Sequence, residues 1–211
     1  MGVSTTITAT WIDGGSEPRS TRPMEQGAAA DGELMRRTAA GDEDAARVLV
    51  ERHLSRAVGL AFRLLGNRSQ AEDISQEAFL RLWKQAGRWR PEARISTWLY
   101  TVVHNLCLDE LRRPMRQTSE LDPELPDSRE TPHTAHQRSQ VTALVDRELQ
   151  ALPERQRAAL ALVHYEQVAA AEAAAILGVS IEALESLLAR ARRTLRTRLA
   201  SLKPDLLGSV E

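Results

Sequence analysis

Apolar residues along this chain recur at intervals of three and four, the spacing of one face of an α-helix, and nowhere alternate with period two for any length. The pattern predicts an all-α protein. Its clearest stretch is Ala169 to Leu199, which reads as two helices around a tight turn. Gly178 supplies the left-handed residue that ends the first helix, and Ser180 is placed to accept from the free N–H groups of the second. Ile176, Leu177 and Val179 are apolar where crossing helices must touch. Leu184, Leu188, Ala191, Leu195 and Leu199 mark one buried stripe, and the opposite face carries Glu182, Glu185, Ser186, Ala189, Arg190 and Arg193. This is either a helix-turn-helix that presents the second face to a DNA groove or a plain helical hairpin in a bundle.

The same periodicity organises the rest. A short helix is expected over Glu33 to Ala39. Asp42 then caps a long one with Ala46, Leu49, Val50, Leu54, Val58, Ala61, Leu64 and Leu65 inward, ended by Gly66 and Asn67. Ser69 is placed to cap a third helix, Gln70 to about Ala86, with Ile74, Ala78 and Leu82 inward and Phe79 and Trp83 beside them. Gly87 and Pro91 break the pattern, and a fourth helix begins after Ser96 or Thr97 and runs to Arg113. A second block follows: Gln140 to Ala151 with Leu144, Val145, Leu149 and Leu152 inward, then Glu154 to about Tyr165 opened by Pro153, then the two-helix motif. The expected organisation is two small helical domains, 31–113 and 140–203, joined by a flexible acidic linker, 114–139. An N-terminal extension, 1–30, lacks periodicity and is expected to be disordered, and a tail covers 204–211. Met24 precedes the first periodic residues and is an alternative start of translation, which the N-terminal mass of the native protein decides.

Charge changes this picture locally. The net charge is -1, yet Arg190 to Arg198 holds five Arg and no acid, while Gln117 to Glu130 holds five acids against one Arg. A basic surface held apart from an acidic connector is the pattern of a nucleic-acid binder. Cys107 is the single cysteine, so no intramolecular disulfide or cysteine-rich zinc site can form, and a reducing cytosol fits best. His133 and His136 lie close together without carboxylates at ligand spacing, so no metal or other cofactor is expected. No apolar run approaches the roughly 20 residues of a membrane span. No nucleophile elbow, zincin motif, phosphate loop or catalytic carboxylate pair occurs, which points away from an enzyme and from a small-molecule substrate.

Two further surfaces stand out. Asp73, Gln76, Glu77, Arg81 and Lys84 share one face of the third helix, acids first and bases last, as the helix dipole favours; spacing alone is equally that of a solvated face with Glu77 near Arg81 and Lys84. Trp89 to Asn105 gathers two of the four Trp, and Tyr100, beside Arg88, Arg90 and Arg94. Basic residues interleaved with aromatics suit single-stranded nucleic acid, whose bases stack on rings. Trp98, Val102, Asn105, Asp109 and Arg112 fall on one face of the fourth helix. The competing reading places Trp98 and Leu99 in the core and leaves Asn105 solvated.

In order, AEDISQEAFLRLW (Ala71 to Trp83), ISTWLYTVVHNLCLDELRR (Ile95 to Arg113), LPERQRAAL (Leu152 to Leu160) and AAAILGVSIEALESLLARARRTLR (Ala173 to Arg196) resemble the sigma-70 superfamily, extracytoplasmic-function group. The resemblance covers about Asp31 to Leu202. It implies an alternative sigma factor, a cytoplasmic protein without catalytic residues that directs core RNA polymerase to promoter DNA. By resemblance, Asp73, Gln76, Glu77, Phe79 and Arg81 bind core polymerase. Arg90, Arg94, Ser96, Thr97, Trp98, Asn105, Arg112 and Arg113 serve the -10 element, where a flipped base is captured in the loop Pro91 to Thr97. Ser180, Glu182, Glu185, Ser186, Ala189, Arg190, Arg192 and Arg193 read the -35 element, with Arg196 adding phosphate grip. The family also implies an anti-sigma factor, which can hold such a protein at the inner membrane.

Two features depart from the family pattern. Glu182 to Leu187 reads EALESL where many members have Gly-Thr-Val-Lys/Arg-Ser-Arg, so two expected bases are replaced by Glu185 and Leu187; Glu185 can accept from a cytosine amino group or weaken phosphate binding. Val168 to Ala171 lacks the Ser or Thr that often caps the first helix of the motif. Two rival readings remain at this level. One is a helix-turn-helix transcription factor that acts without polymerase binding, and the other is a sigma-like adaptor that titrates an anti-sigma factor.

Overall fold

The structure, a computed structural model, describes residues 22–90, 94–113 and 144–207. The 114–139 connector, residues 1–21 of the extension, and His133 and His136 lie outside these residues. Every regular element among those described is helical: α1 (Arg22–Ala39), α2 (Glu43–Leu65), α3 (Arg68–Gln85), α4 (Ile95–Arg112), α5 (144–150), α6 (Glu154–Leu160), α7 (Ala170–Leu177) and α8 (Ile181–Leu207). A 3₁₀ turn, Ala86–Arg88, follows α3, and α6 widens into a π-helical turn over Ala161–Tyr165.

The local chemistry explains most boundaries. Asp42 caps α2 by accepting from the Ala45 N–H at 3.0 Å, with Glu43 and Asp44 in the first turn. Gly66 ends α2 in the left-handed conformation, φ 73°, its N–H donating to the Phe62 carbonyl at 2.7 Å. Because that turn leaves Asn67 extended, Asn67 and not Ser69 caps α3: its side-chain oxygen accepts from the Gln70 N–H at 2.9 Å. Likewise α4 starts at Ile95, with Arg94 at the cap position, since Ile95 is buried in the core; Ser96 and Thr97 are its first turn and not its cap.

Three other expectations are corrected. Arg22 to Ala30 is helical and not disordered, as the good helix formers Ala28, Ala29 and Ala30 favour once α1 has a partner. That partner is α2: Met35 is fully buried, and buried Asp31 receives Arg52 Nη1 at 2.8 Å and lies 2.8 Å from His53 Nε2. At the other end, α8 continues through Leu207, so the tail begins as helix. The buried stripe of α2 is Ala45, Leu49, Ala57, Leu60, Ala61 and Leu64, rotated from the expected one. Leu54 is exposed, and Val50 and Val58 are half-buried, because they line an open groove of about 940 Å³ with Phe62, Val145 and Tyr165.

Asp31 is the lock on α1. Burial opposes ionisation of its carboxyl, but the bonds from His53 and Arg52 outweigh burial and hold the pKa below the ordinary 3.8. Asp31→Ala should cost about 2 kcal/mol in urea unfolding, the scale of hydrogen bonds to a charged group. A depressed folded-state pKa means that this contribution is present above pH 3.8 and is lost as the pH falls through the lower folded-state value. In the variant, that part of the acid-side loss of stability should be missing.

The two helical blocks share one continuous core. Leu49, Leu60, Leu82, Leu99 and Val103 of α2 to α4 belong to the same buried cluster as Leu149, Leu152, Leu162, Leu184 and Leu188 of α5 to α8. Periodicity predicted two domains on a connector; it did not predict that they dock.

Candidate functional site

Three surfaces bear on function. The first is the outer face of α3. Asp73, Gln76, Arg81 and Lys84 are exposed and Glu77 half-exposed, with Arg81 Nε donating to Glu77 Oε1 at 2.8 Å. That bond and the nearby Lys84 hold the Glu77 carboxyl below its usual range. Sequence reading missed Leu80, which stands 52% exposed among these polar groups. The signal was there, since Gln76, Leu80 and Lys84 follow each other at four-residue spacing. It adds one apolar side chain to an otherwise polar face. Phe79 does not share this face: it is buried and packs on Trp83, ring centroids 5.8 Å apart. Its place at the alternate helical phase puts it behind the surface as support.

The second surface surrounds the start of α4. Arg90, Arg94, Asn105, Arg112 and Arg113 are exposed. Pro91, Glu92 and Ala93, the centre of the expected base-capturing loop, lie outside the described residues. Trp98 is half-buried against the core and meets Trp89 edge to face, centroids 6.0 Å apart at 78°. It is thus in part packed against its own block and in part open. Ser96 and Thr97 are half-buried, and the Thr97 hydroxyl donates to Glu172 of α7. Tyr100 is buried and donates to Glu166 Oε2 at 3.0 Å. Glu166 also receives Arg63 Nη1 at 3.3 Å. Burial raises the Glu166 pKa despite these partners, and burial and the Glu166 charge raise that of Tyr100. Neither acid, nor Tyr100 as their neighbour, carried a sequence signal, since the contacts join residues 66 and 75 positions apart.

The third surface is the helix-turn-helix. Gly178 turns the chain at φ 63° and donates to the Ala174 and Ala175 carbonyls, while Ser180 Oγ accepts from the Ala183 N–H at 3.2 Å. Ala169 opens α7 without a side-chain cap, as its sequence implied. Leu184, Leu188 and Ala191 are buried, and Ser180, Glu182, Glu185, Ser186, Ala189, Arg190, Arg193 and Arg196 are exposed. Two residues of the expected reading set are engaged otherwise. Arg192 turns to His164, its Nη2 3.0 Å from the ring Nε2, because the π-helical turn brings that histidine alongside α8. Glu182 is held by its own backbone N–H and by the Ser180 hydroxyl, which lower its pKa; it serves the helix end. Glu185 remains as the exposed acid one turn further on.

Among the described residues, no group of three or more His, Cys, Asp and Glu side chains could hold a metal ion, and no helix is long and apolar enough to cross a membrane. Cys107 is buried, which pushes its thiol up to about 12.

Comparison with known proteins matches both blocks. The sigma-70 region 2 family matches residues 49–117, and the sigma-70 region 4 family matches residues 142–195. The chain is 32% identical to the ECF RNA polymerase sigma factor SigE of Mycolicibacterium smegmatis over 197 residues, 90% of this chain and 71% of that protein. It is 35% identical to SigM of Mycobacterium tuberculosis over 175 residues, 82% of this chain and 86% of that one. The solved structure of CnrH in complex with the cytosolic domain of CnrY superposes with a TM-score of 0.62 at 25% identity, covering 82% of this chain and 98% of CnrH.

Proposed function

Because this chain belongs to the sigma-70 family, in its extracytoplasmic-function group, we infer that it is an alternative sigma factor: it binds core RNA polymerase reversibly and directs initiation at promoters carrying -10 and -35 elements. The observation that carries this reading is the order of surfaces on the folded chain. A mixed polar and apolar helix face comes first, then an Arg-flanked aromatic segment, then an exposed recognition helix.

Residue roles follow. Asp73, Gln76, Glu77 and Arg81, with Leu80 between them, bind core polymerase, and Phe79 fixes the helix from behind. Arg90, Arg94, Asn105, Arg112 and Arg113 hold the -10 strand while Ser96 and Thr97 border the captured base; Trp98 shapes the segment rather than stacking. Capturing unpaired bases offsets about a few kcal/mol of unstacking for each. On α8, Arg190, Arg193 and Arg196 grip phosphates, and Glu185, Ser186 and Ala189 face base edges. This role needs no catalytic group and no cofactor. The protein works in the cytoplasm, and an anti-sigma factor is its regulatory partner; the groove along α2 offers apolar room for protein side chains.

Run-off transcription with purified core polymerase tests the reading. A promoter-specific transcript supports it. Binding to isolated duplex with no transcript turns it into a polymerase-independent factor, and neither activity leaves the adaptor. On the same assay, Glu185→Lys should change -35 preference by about 1–3 kcal/mol at one base pair and leave core affinity unchanged. Unaltered preference removes Glu185 from the reading face.

A further inference from the structure

The tip of α8 carries an apolar side chain that the fold does not use. Ile181 is the first residue of that helix and stands 44% exposed. Its apolar neighbours Val179, Leu184 and Leu187 belong to the core or pack against it, whereas Ile181 takes no part in that cluster. Helix propensity does not account for it either, since a β-branched side chain supports a helix less well than alanine or leucine. A lone exposed isoleucine is ordinary on a protein surface. What singles this one out is its place and its neighbour.

Four residues further on, Glu185 lies beside it on the same side of α8. Glu185 is exposed, and its carboxylate has no hydrogen-bonded or ionic partner among the described residues. Glu182, between the two in sequence, is held by its own backbone N–H and by the Ser180 hydroxyl. Arg193 and Arg190 lie about 80° and 140° round the helix from Glu185, toward the other flank of the exposed face. The tip therefore offers a groove two free groups side by side: a branched hydrocarbon and a bare carboxylate.

Those groups complement different base edges. A carboxylate accepts from the N4 amino group of cytosine, while the apolar group that a major groove displays is the C5-methyl of thymine. Set against the donors and acceptors of another base, isoleucine would leave them dry and unpaired, which costs affinity. Spacing narrows the match further: four residues rise about 6 Å along a helix, and successive bases on one strand are about 3.4 Å apart. We propose that Ile181 is a specificity residue of the -35 contact, burying the methyl of a thymine within two base pairs of the cytosine that Glu185 takes. The pair would then read one short pyrimidine pattern by shape and charge together.

This rests on the sigma reading, and the test keeps the two apart. Holoenzyme assembled from the full chain and purified core polymerase selects its -35 sequence from promoter fragments randomised over that element. Each thymine of the selected duplex is then replaced singly by deoxyuridine, which lacks only the methyl. At one thymine, within two base pairs of a cytosine, uracil should lower affinity about fourfold, the worth of one buried methyl group. Ile181→Ala should bind the thymine and uracil forms equally there, and Ile181→Val, which keeps a branched side chain, should retain the preference. Uracil tolerated at every position by the unaltered protein overturns the proposal without need of any variant, and so does a thymine preference that survives in Ile181→Ala. A missing promoter-specific transcript overturns the sigma reading instead. The selection and the uracil series are then run with the full chain alone on duplex DNA, where a methyl-dependent loss upholds the contact and its absence removes it.

Discussion

Promoter-specific transcription should fall about 100-fold when Asp73 and Gln76 are both replaced by alanine, with far-UV circular dichroism and thermal midpoint unchanged. Both side chains are exposed on α3. Neither takes part in the buried cluster that holds α3 against the rest of the first block. Their loss therefore leaves the fold intact and removes only what a partner touches. Two polar contacts at the middle of a protein interface are worth about 1.5 kcal/mol each on truncation, and 3 kcal/mol is about 150-fold in affinity. Leu80→Ala should deepen the loss, because that side chain stands 52% exposed between Gln76 and Lys84 on the same face. Titration of labelled core polymerase gives the affinity directly, and undiminished binding by the double variant would place the polymerase interface elsewhere.

Replacing Arg190 and Arg193 by alanine should lower holoenzyme affinity for a -35-containing duplex about 60-fold at 0.1 M salt. Both are exposed on the solvent side of α8, opposite the buried stripe of Leu184, Leu188 and Ala191. Each arginine that neutralises a phosphate releases counterion and contributes about -0.9 to the slope of log affinity against log salt; losing two should flatten the slope by about 1.8. Arg192→Ala should change the slope much less, since Arg192 is turned to His164. Equal effects from all three arginines would mean that the His164 contact gives way on DNA.

The parts of the fold readable in the sequence are those fixed within a turn or two of chain. Asp42, Gly66, Gly178 and Ser180 act on backbone groups no more than four residues away, and each does what its chemistry implied. Asn67 displaced Ser69 for the same local reason, read one step too late. What periodicity could not show is which of two similar apolar stripes on α2 wins: Leu54 and Leu60 look alike in sequence, and only the packing of α3 and α4 buries one and leaves the other on a groove. The anchoring of α1 on α2 rests on Asp31 meeting side chains 21 and 22 residues away.

The candidate site divides along the same line. The exposed face of α8 was legible because a single helix defines it. The packing of Phe79, Trp98 and Arg192 could not be read in the same way, because their neighbours come from other elements: the core, Trp89 and His164. Glu166 and Glu172 were invisible for the same cause.

The Gln150 cap on α2 has a consequence in time. The carbonyls it serves, Phe62 and Arg63, precede it by 88 and 87 residues. At about 5–20 residues added per second, the ribosome adds Gln150 about 4–18 s after Phe62, and about 2–7 s after Arg113 completes the first block. For that interval every nascent copy carries an α2 with a bare end and no second block to cover α4. The end of α2 is therefore completed by a residue made well after it, a consequence of chain order alone.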